Sequence, residues 1–121
     1  MNIKPTESEL EILQVLWNKG NCTVRDVHEE LTKTKDAGYT TTLKLMQIMQ
    51  DKGLVTRDTS AKTHIYQAAF SEQQAQKTAL DKIITTVFKG SAAELVMQAL
   101  GNHKASKDEI DAIKDYLKKF E

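Results

Sequence analysis

A chain of 121 residues fits one compact unit or a small domain with an appendage, and its 40% hydrophobic content suffices for a core that the 6% aromatic share makes mostly aliphatic. The formal net charge is zero, which excludes the strong overall basicity of many nucleic-acid binders. No apolar run approaches the roughly 20 residues of a membrane span, MNIKPTESEL lacks a signal-peptide stretch, and Cys22 stands alone, so a soluble cytoplasmic protein without direct membrane binding, disulfide, metal or cofactor is expected.

Pro5-Thr6-Glu7-Ser8-Glu9 opens a first helix, with Thr6 and Glu9 spaced as a capping box. Leu10, Leu13, Leu16 and Trp17 fall on one face at helical spacing, and Gly20 stops the run. Thr23 can cap a second helix, on which Val24, Val27 and Leu31 recur, and the polar stretch from Thr32 to Gly38 reads as a turn. A third helix is expected from about Thr40 to Lys52, closed by Gly53, with Leu43, Met46 and Met49 on its inner side. Leu54 to Thr59 and His64 to Ala68 are then β-prone segments joined by the polar turn Ser60-Ala61-Lys62-Thr63, the pattern of a hairpin.

The remainder is again helical. Ala79/Leu80, Ile83/Ile84 and Val87/Phe88 are paired apolar positions every four residues, and Gly90-Ser91 interrupts the stripe. Ala92 to Leu100, carrying Leu95 and Val96, reads as a short apolar helix. Ser106 and Glu109 form a second capping box before Ile110, Ile113, Leu117 and Phe120. Such stripes present more apolar surface than one neighbour covers. Burial against a second copy across a two-fold axis is the expected solution, with Leu80, Ile83, Ile84, Val87, Phe88, Leu95, Val96, Ile110, Ile113 and Leu117 as the homodimerisation set. Packing of these helices on the N-terminal part of their own chain is the alternative.

The order helix, helix, helix, hairpin within residues 1–70 is the layout of a winged helix-turn-helix. The expected fold is thus mainly α with a small β-hairpin: a DNA-binding domain over 1–70 and a helical dimerisation region over 71–121. In such folds the last helix of the motif enters the major groove of double-stranded DNA. Thr40 and Thr41 then sit where hydroxyls and free helix amides can meet phosphate, Lys44 can reach a phosphate or a guanine edge, and Gln47 can pair with adenine or bond a phosphate. Lys62 and Thr63 occupy the wing tip, with Arg57 and His64 on the adjoining strands.

Charge distribution supports the placement. From Met1 to Leu31 three basic residues face six acidic ones, whereas from Tyr39 to Tyr66 Lys44, Lys52, Arg57 and Lys62 stand against Asp51 and Asp58 alone. The excess is small, so a single copy should bind weakly and a pair is expected. Taken singly the features have plain readings: the threonines as a cap, Lys62 as a solubilising charge, Trp17 and the methionines as core, His28 and His64 as surface residues. Their sequential arrangement carries the DNA reading. A winged helix serving as a protein-interaction module is the alternative. No nucleophile–base pair, phosphate-cradling loop or metal cluster suggests an enzyme.

TESELEILQVLWNKG, TVRDVHEEL, GYTTTLKLMQIMQDKGLVTRD, KTHIYQA, FKGSAAELVMQAL and SKDEIDAIKDYL together resemble the penicillinase repressor (BlaI/MecI) family over nearly the whole chain. The resemblance implies repression by homodimers on operators with dyad symmetry, with Thr40, Thr41, Lys44 and Gln47 on the recognition helix and Lys62 and Thr63 on the wing. It further implies, for the antibiotic-resistance repressors, induction by cleavage in the dimerisation region under a membrane sensor protease, which would fall near Ser91 and Ala92. Three departures stand out. Ile48 replaces a basic residue of many members, the C-terminal cysteine cluster of copper-responsive members is missing, and Gly90-Ser91-Ala92-Ala93 lacks the Asn-Phe pair of the cleaved ones.

Overall fold

In the computed structural model residues 4–121 are described, and they form six α-helices, a two-stranded hairpin and a closing 3-10 turn. The order is α1 (Glu7–Lys19), α2 (Val24–Leu31), α3 (Tyr39–Lys52), β1 (Val55–Asp58), β2 (Ile65–Ala68), α4 (Glu72–Thr86), α5 (Ala92–Asn102) and α6 (Lys107–Leu117). Among the described residues no helix is long and apolar enough to cross a membrane. The chain divides into two compact units, one up to Ala79 and one from Leu80 to Glu121.

The first unit is built around α1. Its start is a complete capping box: Thr6 Oγ1 accepts from the Glu9 amide at 3.2 Å, and the Glu9 carboxylate accepts from the Thr6 amide at 2.8 Å. Thr23 and Asp26 make the same reciprocal pair at the start of α2. The buried face of α1 is Ile12, Leu13, Val15 and Leu16, which meets Val24, Val27 and Leu31 of α2 and Met46 and Met49 of α3. Leu10 and Trp17, expected on that face, are only partly buried at its margins.

On α3 the fully buried residues are Thr42, Met46 and Met49, while Leu43, expected among them, is partly buried and packs against the same core. Helix geometry explains the difference. Positions 42, 46 and 49 lie on one helix face, while 43 is rotated about 100° from 42. The Thr42 hydroxyl is tolerated in the core because it donates to Gly38 O at 3.3 Å. The same hydroxyl lies 3.2 Å from His28 Nδ1, within hydrogen-bond reach of the ring. His28 is consequently half-buried, edge-on to Tyr39 with ring centroids 5.5 Å apart, and is not the surface residue its sequence position suggests. Gly53, at φ 82°, ends α3 with the Leu54 amide returning to Met49 O.

The hairpin is antiparallel, with Val55 opposite Ala68 and Asp58 opposite Ile65. Cys22 adds a one-residue third strand, exchanging both backbone hydrogen bonds with the buried Tyr66 at 2.7 and 3.1 Å. Burial pushes the Cys22 thiol above its ordinary pKa, which suits a core residue. Beyond the hairpin, Trp17 Nε1 donates to Phe70 O at 2.9 Å and ties α1 to the segment entering α4.

The C-terminal helices differ in kind. None of the residues from 71 to 121 is buried. α4 stops at Thr86, so Val87 and Phe88 lie past its end and do not complete the helical stripe. The chain turns through Lys89 and Gly90, both at positive φ, and Gly90 N returns to Ile84 O at 2.9 Å. Ser91 caps α5 by accepting from the Glu94 amide, and Ser106 with Glu109 opens α6 with a further capping box.

Candidate nucleic-acid interface

The recognition-helix candidate begins one residue before its threonines. Gly38 occupies the cap position and has no side chain to offer, so the first-turn amides of α3 carry no side-chain cap. Thr40 and Thr41 are exposed in that turn, and Lys44 and Gln47 follow on the face turned away from Met46 and Met49. Ile48 is beside them, 38% exposed, a branched apolar side chain on an otherwise polar surface.

The hairpin places the second group. Arg57 is half-buried on β1, directly opposite Tyr66, while Lys62, Thr63 and His64 are exposed on the turn between the strands. Asp58 accepts from the Ser60 amide at 2.9 Å, which shapes the start of that turn and holds the Asp58 carboxyl below its usual range.

Between α3 and the hairpin runs an open groove of about 670 Å³. Gln47, Arg57, Lys62, Thr63 and His64 all line it, so five of the eight residues predicted for DNA binding converge on one concavity. Thr40, Thr41 and Lys44 lie outside it on the exposed surface of α3. Tyr39, Leu43, Thr23, Val24, Arg25 and Tyr66 complete the lining. Tyr39, Thr23 and Arg25 escaped the sequence reading because α2 carries no motif that announces a ligand, and Tyr39 reads as the residue before the helix. Among the described residues no carboxylate lines the groove.

The C-terminal candidates fall into two groups. Leu80, Ile83, Val87, Val96 and Leu117 are among the exposed large hydrophobic residues, together with Met97, Leu100, Tyr116 and Phe120. Ile84, Phe88, Leu95, Ile110 and Ile113 are half-buried. Ser91 and Ala92 sit at the cap and first residue of α5.

Comparison with known proteins places the chain. The family model described as penicillinase repressor matches residues 5–119. The methicillin resistance regulatory protein MecI of Staphylococcus aureus (strain N315) is 25% identical over 114 residues, covering 94% of this chain and 93% of that protein. The penicillinase repressor of Bacillus licheniformis is 20% identical over 112 residues, 93% of this chain and 88% of its own length. The solved structure of Lactococcus lactis ZitR aligns with 98% of this chain and 75% of that one, at 19% identity and a TM-score of 0.46. With a family match across almost all of its length, the chain belongs to the penicillinase repressor family of winged-helix transcriptional regulators.

Proposed function

We propose that the protein represses transcription as a homodimer on an operator with dyad symmetry, α3 of each copy lying in the major groove and the hairpin gripping the flanking backbone. The observation that carries this reading is the continuity between the polar face of α3 and the carboxylate-free groove shared with the hairpin. Thr40 and Thr41 meet phosphate beside the uncapped amides of α3, Lys44 and Gln47 face base edges, and Lys62, Thr63 and His64 lie along the adjacent strand of DNA.

The state of residues 71–121 supports pairing of copies. Helices with no buried residue and exposed Leu80, Ile83, Val87 and Val96 gain stability when a second copy covers them. Each Å² of apolar surface removed from water contributes ~25 cal/mol. Two copies would set their recognition helices about 34–36 Å apart on successive turns of one DNA face. An inducing signal that loosens this region, by cleavage near Ser91 and Ala92 or by another route, would release DNA without touching the reading helix. A membrane sensor protease is the partner that family membership suggests for that step.

Selection of duplexes from a random pool by the full-length protein tests the proposal. An enriched sequence with two inverted half-sites, bound more weakly as salt rises, is expected. Recovery of no enriched sequence, or binding indifferent to salt, would leave the winged helix as a protein-interaction module.

A further inference from the structure

Arg25 is exposed in the first turn of α2, away from the recognition helix in sequence, yet it lines the same groove as Gln47 of α3 and as Arg57, Lys62 and His64 of the hairpin. We propose that Arg25 is a phosphate anchor of the DNA interface, holding with Arg57 the stretch of DNA backbone that passes between recognition helix and wing. The proposal rests on the DNA-binding reading and adds a residue and a chemistry to it.

Three observations support the assignment. First, the groove gathers Arg25, Arg57 and Lys62 from α2, β1 and the hairpin turn, with no carboxylate among its lining residues. Like charges drawn together from separate elements repel one another unless an anion lies between them. Second, among the described residues none of these three cations is in an ion pair. The carboxylate nearest Arg25 in sequence, Asp26, is occupied in the capping box, accepting from the Thr23 amide at 3.1 Å. Third, the Nε of Arg57 is buried and has no hydrogen-bond partner among the described residues. With Nε enclosed by the protein, the terminal N–H groups of the guanidinium are the donors left to meet the acceptor-rich oxygens of a phosphodiester, which a planar fork of donors bonds in two places.

The groove suits a backbone better than base edges. Its lining sets Leu43 and Tyr66 beside the cations Arg25, Arg57 and Lys62, and of the two base-facing residues only Gln47 borders it, while Lys44 lies outside. A phosphate contact fixes the register of the protein on DNA and carries no sequence preference of its own. Arg25 therefore sets how tightly α3 is held, whereas Lys44 and Gln47 set which sequence is held.

The test measures binding of full-length wild type, Arg25→Ala and Arg25→Lys to a selected operator and to an unrelated duplex across a range of salt. Arg25→Ala should weaken both duplexes by a similar factor, on the order of tenfold, and reduce the slope of log affinity against log salt by about one per copy, near two for a dimer. Arg25→Lys, which keeps the charge, should retain the wild-type slope. Because Arg25 is exposed, thermal unfolding should be unchanged in both variants. Wild-type affinity and slope in Arg25→Ala would overturn the proposal, as would a loss confined to the operator. Absence of wild-type binding to any duplex would overturn the DNA reading itself and the anchor with it.

Discussion

Nζ of Lys52, in the last turn of the recognition-helix candidate, lies 2.9 Å from each carboxylate oxygen of Glu9, in the first turn of α1. The Glu9 side chain is 2% exposed and Lys52 is 35% exposed, so one partner is sequestered while water still reaches the other. One carboxylate thus caps α1 through the Thr6 amide and fastens the far end of α3.

Removing the cation should cost more than neutralising the anion. Lys52→Met leaves a buried carboxylate with only the Thr6 amide to stabilise it, and unfolding in urea should show a loss of ~2 kcal/mol. Glu9→Gln keeps an acceptor for that amide and should lose less. The double variant should recover part of the Lys52→Met loss, and strict additivity of the two changes would show that the pair is not coupled.

The same pair sets an acid limit. Burial raises the Glu9 pKa, but the Thr6 backbone hydrogen bond and the hydrogen bond and charge of Lys52 outweigh it, holding the carboxyl below its ordinary 4.5. In the acid range the unfolded chain therefore binds the proton more readily than the folded one. Stability from Glu9 is complete above the ordinary value and is lost as pH falls from there through the lower folded value. Urea midpoints measured between neutral pH and about pH 3 should fall more steeply for wild type than for Glu9→Gln; parallel curves would refute the linkage.

Thr42 holds the entrance of α3 through Gly38 O and His28 Nδ1. Thr42→Val preserves shape and removes both bonds, and should destabilise the first unit by about 1 kcal/mol. Urea unfolding reads the loss, and the imidazole resonances of His28 should shift as its Nδ1 partner disappears. An unchanged midpoint and spectrum would mean that neither bond persists in solution.

Ile83 is 43% exposed on α4. If a second copy covers it, Ile83→Asp places a charge in that contact and should convert dimer to monomer in sedimentation equilibrium, while Trp17 fluorescence stays native. A dimer as tight as wild type would move the interface elsewhere.

Ile48 offers a gain of function. Ile48→Lys adds a cation beside Lys44 on the exposed side of α3, and should tighten binding to all duplexes and steepen the salt dependence by roughly 0.9 per copy. Unchanged binding by fluorescence anisotropy would place position 48 off the DNA.

Much of this architecture was legible because its signals are local. Thr6/Glu9, Thr23 and Ser106/Glu109 announce helix starts at short spacing, and Gly20 and Gly53 announce stops. The β-prone segments flanking Ser60 to Thr63 likewise declare the hairpin. The contacts that join these elements were not legible, since they link distant residues whose types have ordinary local uses. Glu9 reads as a cap, and nothing local marks its bond to Lys52, 43 positions away. Trp17 reads as core, although its indole meets a carbonyl 53 residues on. Leu43 reads as core and does pack against it, but nothing local marks Thr42 as the more deeply buried neighbour, its hydroxyl satisfied by Gly38 O. Arg25 was missed for the complementary reason: a lone arginine on a short helix has no local mark of what it faces after folding.

The Cys22–Tyr66 bridge has a consequence for how the hairpin works. With Tyr66 held by backbone bonds on one side and paired opposite Arg57 on the other, the root of the hairpin is braced before any ligand arrives. Only the span from Thr59 to His64 projects beyond that brace. The hairpin is therefore a short cantilever on a fixed support, and the width of the slot beside α3 is preset, so ordering on contact with a ligand is confined to about six residues and its entropic penalty is correspondingly small.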